Sequence, residues 1–250
     1  GATWGYATIV GYPDTTHVTA DVNTDFGAST ASTEWRLGAW STTTGFPSCV
    51  SFFEQRLCAA GTTSDQQTFW ASLVGYPEDY TPGANDSDPI DVVLTDLELN
   101  KCNWIASIER TLFSGTSDAE WTHSGDITPS SPNIRPLSHE GSSLITPIRA
   151  NRSLIFVDLS GLRCFEIRFN GEINAFVVEE VSYHAEHITT GGILDMAFQK
   201  SPTRTCWLIR TDGKLLSLTY EKKQGVIGWA LHDTGATGLF ESVTVIPDSA

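Results

Sequence analysis

Apolar residues in this chain come in short runs, each closed by Gly, Pro, Asn, Asp, Ser or Thr, and no long stretch repeats at helical spacing. Runs of that length between turn formers read as β-strands, and the abundance of Thr, Val, Ile and aromatic residues suits pleated surfaces. The runs also recur as a unit. Cys49–Gly61 reads as two strands about a Glu54-Gln55 turn, with a third strand over Gln67–Ser72. A second copy runs through Trp104–Gly115 and Ala119–Trp121, and a third through Ile148–Val157 and Leu162–Phe169. The fourth comprises Ile193–Gln199, Thr205–Ile209, Lys214–Tyr220 and Gly228–His232. Taking Gly61, Gly115, Gly161 and Gly213 as turn glycines gives a period of about 50 residues, the length of a propeller blade. A blade buries both faces only when neighbours stack against it around an axis. The expected fold is therefore all-β, with β-propeller-like blades of antiparallel strands over 46–250. An irregular β-sandwich is the competing architecture.

Residues 1–45 read as a separate, small β-rich segment. Trp4–Val10 and Thr16–Val22 are its strands, joined by a turn at Pro13-Asp14, and Ser29–Arg36 forms a single helical turn or a loop. Trp70, Trp104, Trp121, Trp207 and Trp229 fall at apolar-phase positions of strands and are assigned to the core. Trp4, Trp35 and Trp40 are left free for a contact between subunits. A chain that begins Gly-Ala-Thr rather than Met reads as a piece of a longer polypeptide.

Composition limits the function. Fifteen Lys and Arg face thirty Asp and Glu, a net charge of −15. Such a surface lacks the cations that neutralise phosphates, which disfavours a nucleic-acid-binding domain. The longest apolar runs, such as Leu154–Val157 and Phe176–Val178, are far shorter than a membrane span. The five cysteines (Cys49, Cys58, Cys102, Cys164, Cys206) form no C-x-x-C pair and each adjoins apolar residues. They read as small buried hydrophobes of a protein made in a reducing compartment.

Few residues suggest reaction chemistry. His184-Ala185-Glu186-His187 has the wrong spacing for a helical zinc site and reads as a helical turn or loop. Asp86, Asp88 and Asp91 lie on a Gly/Asn/Ser-rich loop but do not meet the calcium-loop pattern, so a solvated loop is the better reading. No nucleophile elbow, phosphate loop or dinucleotide fingerprint occurs. No catalytic, cofactor-binding or metal residue is assigned, and no cofactor is expected. A hydrolase with paired carboxylates and a glycan- or receptor-binding propeller remain as alternatives.

The stretch Pro47-Ser48-Cys49-Val50-Ser51-Phe52-Phe53-Glu54-Gln55-Arg56-Leu57-Cys58-Ala59-Ala60-Gly61-Thr62, followed by Gln66-Gln67-Thr68-Phe69-Trp70-Ala71-Ser72, resembles the signature of tail nozzle proteins of short-tailed bacteriophages, also called tail tubular protein B. Gln66 stands where that family usually has Pro. Ala185–Thr189, Gly192–Phe198, Asp212–Glu221, Gly228–Thr234, Trp4–Ala7 and Glu34–Ser41 are similar as well, so the resemblance extends over most of the chain. It implies a structural, non-enzymatic role: a β-propeller subunit of a homohexameric ring around the DNA exit channel of the virion tail. The adaptor and fibres would be its partners, and genomic DNA would pass in weak, non-specific contact. The protein would be made in the host bacterial cytoplasm. Members are often longer, so the resemblance makes this chain a fragment or a minimal version. An acidic wall that repels phosphates fits such a conduit.

Overall fold

A computed structural model describes residues 5–33, 35, 37–95, 100–125, 127–235 and 237–246. Trp4, Glu34 and Arg36 lie outside the described residues. The chain is all-β and propeller-like, with one two-stranded sheet and four four-stranded antiparallel sheets. The two-stranded sheet is the hairpin β1 (Tyr6–Asp14) and β2 (His17–Thr24). β1 runs on through Pro13 and Asp14, where the turn is expected, and the chain turns at residues 15–16. Among the described residues of 29–36 no helical turn forms.

The first blade is β3 (Cys49–Phe53), β4 (Arg56–Ala60), β5 (Thr68–Ala71) and β6 (Ile90–Val93). The second is β7 (Cys102–Ile108), β8 (Thr111–Thr116), β9 (Glu120–His123) and β10 (Ile134–Ser138). Strands β11 (Ile148–Ala150), β12 (Ser153–Val157), β13 (Cys164–Asn170) and β14 (Ala175–Glu180) form the third. The fourth has β15 (Ile193–Gln199), β16 (Thr205–Arg210), β17 (Leu215–Glu221) and β18 (Val226–His232). Every blade is a meander in which each strand pairs with the next in sequence. The first hairpin shows why. Glu54 and Gln55 both take positive φ, 45° and 63°, the left-handed pair that a two-residue turn requires if its twist is to match the flanking strands.

Period-two alternation then sends each blade's apolar residues to both faces. Three cores result, one between each successive pair of blades. Phe53, Phe69, Ile90 and Leu94 of the first blade and its exit meet Ile105, Leu112 and Trp121 of the second. On the opposite face of the second blade, Trp104, Ala106 and Phe113 meet Leu154, Phe156, Phe165 and Ile167 of the third. Ile155, Val157 and Cys164 then point the other way, into Met196, Cys206, Leu208, Leu216 and Tyr220 of the fourth. Among the described residues no fourth apolar cluster joins the last blade to the first. The outer face of the fourth blade is instead crossed by the segment after β18. Phe240 donates its N–H to Gly213 O at 2.9 Å, and Val243 donates its own to Asp195 Oδ2 at 3.0 Å.

Two expectations about packing need correction. Gly61, Gly161 and Gly213 do sit in turns at positive φ, but Gly115 lies inside β8. A Cβ there would come within 2.1 Å of the Trp104 ring, so Gly115 is glycine to admit an indole rather than to turn the chain. Trp40 is not free either. Its ring meets Trp70 edge-on at 5.8 Å and Tyr80 at 4.6 Å, covering part of the first blade's outer face. Trp70, Trp104 and Trp121 are buried as expected, while Trp207 and Trp229 are half-buried and Trp35 is exposed.

Candidate functional site

The innermost strands of all four blades converge on one open cavity of about 490 Å³. Val50 and Ser51 of β3, Ile105 and Ala106 of β7, Ile148 and Arg149 of β11 and Phe198 of β15 line it. The convergence marks the propeller axis. Its lining is apolar apart from Ser51, Thr146 and Arg149, and Arg149 donates to Ser107 Oγ at 2.9 Å. Among the described residues, no acidic side chain lines this cavity.

A second cavity of about 270 Å³ lies at the mouth of the first interface, between Phe53, Phe69, Val74 and Ile127. Arg56 reaches into its wall. Arg56 is 5% exposed, and its guanidinium donates to the carbonyls of Ser72 (2.6 Å), Asp88 (2.8 Å) and Asp86 (2.7 Å). A buried cation with three carbonyl acceptors is satisfied without a carboxylate partner. The Asp86–Asp91 loop is thus fastened through its backbone. The carboxylate of Asp88 accepts from Asn85 N at 2.8 Å, and Asp91 lies within β6.

Three polar groups sit where the alternation of strands demands apolar ones. In the second blade, Ser114 Oγ lies 2.8 Å from His123 Nε2, and both residues are fully buried. Burial pushes His123 down to about 3, so its ring is neutral in the folded protein. No acid orients the ring, whose Nδ1 is buried without a partner, and the Phe69 ring packs against it at 4.6 Å. A hydroxyl and a neutral imidazole sealed in a core reach no substrate. Nearby, Glu120 is fully buried and accepts from Ser142 Oγ at 2.7 Å and from Ser138 Oγ. Burial raises its carboxyl above the ordinary range, with the two hydroxyls opposing.

The third group ties the last two blades together. Glu166 of β13 is fully buried, faces Arg168 at 3.3 Å, and takes a hydrogen bond from the Tyr220 hydroxyl and an ion pair from Lys222. Tyr220 Oη also lies 2.9 Å from Ser153 Oγ. Glu179 closes the network, 2.6 Å from Arg168 and 3.1 Å from Lys222. Every charge meets an opposite one, which makes this a lock between blades and not an activated acid.

The sequence singled out none of Arg56, Glu120, His123 and Glu166. The signal available was a charged or imidazole residue in phase with the apolar ones, as in Cys164-Phe165-Glu166-Ile167. The residues that were weighed for chemistry lie elsewhere. His184 and Ala185 belong to a 3-10 turn (Tyr183–Ala185), and Glu186 and His187 open the four-residue helix α1 (Glu186–Thr189). Among the described residues no group of three or more His, Cys, Asp and Glu could hold a metal ion, and no helix is long and apolar enough to cross a membrane. All five cysteines are free thiols, with Cys49 half-buried and the rest buried.

No protein-family model matches the chain, and no curated protein matches it. Among solved structures, a protein from Lactobacillus plantarum shares 10% identity over 98% of this chain and 68% of its own, with a TM-score of 0.47. The N-terminal domain of Nup159 shares 11% over 74% of this chain and 44% of its own, at 0.41. A luciferin-regenerating enzyme shares 10% over 66% and 69%, at 0.40. Likenesses this distant carry no argument about activity. The resemblance to tail nozzle proteins rests on the sequence motifs alone.

Proposed function

We propose that this chain is a structural subunit of a short-tailed phage tail, a nozzle-type propeller that works by shape and by packing against other subunits. The observation that carries the proposal is where apolar surface is left uncovered. The β1–β2 hairpin exposes Tyr6, Ile9, Val10, Tyr12, Val18 and Val22. Its two strands pair only with each other. A lone hairpin of this kind is marginal in water, and apolar surface of this extent marks an interaction site. Val50 and Phe52 of β3, and Phe46 just before it, are exposed as well. Arg56, Glu120, His123 and Glu166 are all buried. Subunit contacts through the hairpin and the exposed residues at β3, together with the motif resemblance, support a ring of identical copies. A net charge of −15 supports passage of DNA without adhesion.

Light scattering on the purified chain, alongside electron microscopy of assembled tails, tests the proposal. A closed ring of copies, located at the tail and lost when residues 6–24 are deleted, is the expected result. A chain that stays monomeric at high concentration and has no density in the tail refutes it. So does turnover of a host glycan that is abolished by one Asp or Glu substitution.

A further inference from the structure

Cys49 and Cys102 open the innermost strands of the first and second blades, and their Sγ atoms stand 4.0 Å apart. We propose that these two thiols are an oxidation site, closing to a disulfide that pins the first blade to the second when the protein meets a small-molecule disulfide. The inference does not rest on the proposed function.

Local structure holds the pair in register. Ser48 Oγ donates to Cys102 O at 2.9 Å, so the residue before Cys49 is tied to Cys102 itself. Ser48 N–H reaches the carbonyls of Ala60 and Gly61, and Cys102 N–H reaches Gln66 O at 2.9 Å, which fixes both strand starts to the same turn. Gly61 lets them approach this closely. A Cβ on it would stand 2.8 Å from Cys102 O and 2.9 Å from Ser48 Oγ. The two sulfurs are therefore in van der Waals contact across a blade interface, about 2 Å beyond bonding distance.

The two thiols also differ as a reacting pair should. Cys49 is half-buried, within reach of a small oxidant, whereas Cys102 is fully buried behind it. The bond from the Cys102 thiol holds Cys49 below the ordinary thiol range, while that contact and burial push Cys102 up. Cys58, Cys164 and Cys206 are pushed up by burial and lie deep in the cores. The Cys49 thiolate attacks one sulfur of the oxidant, forming a mixed disulfide and releasing one small thiol. Cys102 Sγ then attacks Cys49 Sγ and breaks the mixed disulfide, and its proton passes to the departing small thiolate, which leaves as the second small thiol. Two protein thiols are oxidised by two electrons, and the small disulfide is reduced to two thiols. In a glutathione-reduced compartment the bond stays open, and outside it the bond closes.

The test is oxidation of the full chain with oxidised glutathione, read by denatured thiol titration, peptide mapping and melting temperature. The expected result is loss of two of the five thiols, a single linked pair joining the Cys49 and Cys102 peptides, and no linked dimers. The bond closes a loop of 53 residues, so the melting temperature should rise by about 5–10 °C and fall back with dithiothreitol. Cys102→Ser should stop at the glutathione adduct on Cys49. If that variant fails to fold, the wild-type peptide map decides alone. Five surviving thiols, a linked pair using any other cysteine, or a lowered melting temperature overturns the proposal.

Discussion

Gly115→Ala adds one methyl group directly opposite Trp104 in the second blade, on the face that packs against the third. The new Cβ would stand 2.1 Å from Trp104 Cε2, 2.3 Å from Nε1 and 2.4 Å from Cζ2. Ordinary carbon contacts begin near 3.5 Å, so the indole must retreat by more than 1 Å. It has nowhere to go. Trp104 is 2% exposed and meets the Phe156 ring of the third blade at 5.7 Å. Overpacking of this kind costs about 1–3 kcal/mol, against which Gly→Ala returns about 0.4–1 kcal/mol through the unfolded chain. The net expectation is a loss of about 1–2 kcal/mol, or a melting point lower by about 2–8 °C. Urea unfolding and calorimetry measure it, with Gly228→Ala as the control. Gly228 lies in β18, and nothing stands within 4 Å of its added Cβ, so that variant should match or slightly exceed the wild type. Adding Trp104→Phe to Gly115→Ala should recover part of the loss, because it removes the clashing atoms and a buried indole N–H that has no partner. A Gly115→Ala protein as stable as the wild type would refute the reasoning.

Three further outcomes follow from the buried polar groups and the charge. His123 is neutral when folded, with its value near 3, but titrates near 6.5 when unfolded. The unfolded state therefore binds the extra proton, and stability falls as pH drops from about 6.5 towards 3, by up to about 4 kcal/mol. Urea midpoints of the wild type and His123→Gln, compared at pH 7 and pH 4, should converge at the lower pH, and a parallel offset would contradict this. Arg56→Ala should cost about 3–5 kcal/mol, since three buried carbonyls lose their donor, and should make the 73–89 segment a site of rapid proteolysis. An unchanged digestion pattern would argue against the fastening role. Duplex DNA should show no gel shift with micromolar protein at physiological salt, and a reproducible shift would oppose the non-adhesive reading of the acidic surface.

The inner strands were legible because each is a compact apolar run ended by a recognisable turn. Phe53-Glu54-Gln55-Arg56 and Ala150-Asn151-Arg152-Ser153 carry such turns, and both form hairpins in the structure. The fourth strands of the first three blades, β6, β10 and β14, escaped the reading. Each is an outer edge and partly exposed, so solvent leaves charged residues along it, as in Ala175-Phe176-Val177-Val178-Glu179-Glu180. Pro136 in β10 further disguises a strand, and an edge is where a proline is tolerated. Gly115 misled for a related reason: a glycine that admits an indole and one that turns the chain look identical in sequence.

Alternation and turn chemistry are local, so the order of residues alone determined that four units of antiparallel strands would form. Which face meets which is not local. The meeting of Trp104 with Phe156, the closure of Glu166 by Tyr220 and Lys222, and the meeting of Cys49 with Cys102 each join residues far apart in the chain. Those pairings depend on how one blade is rotated against the next, and only close packing of the assembled blades selects that rotation.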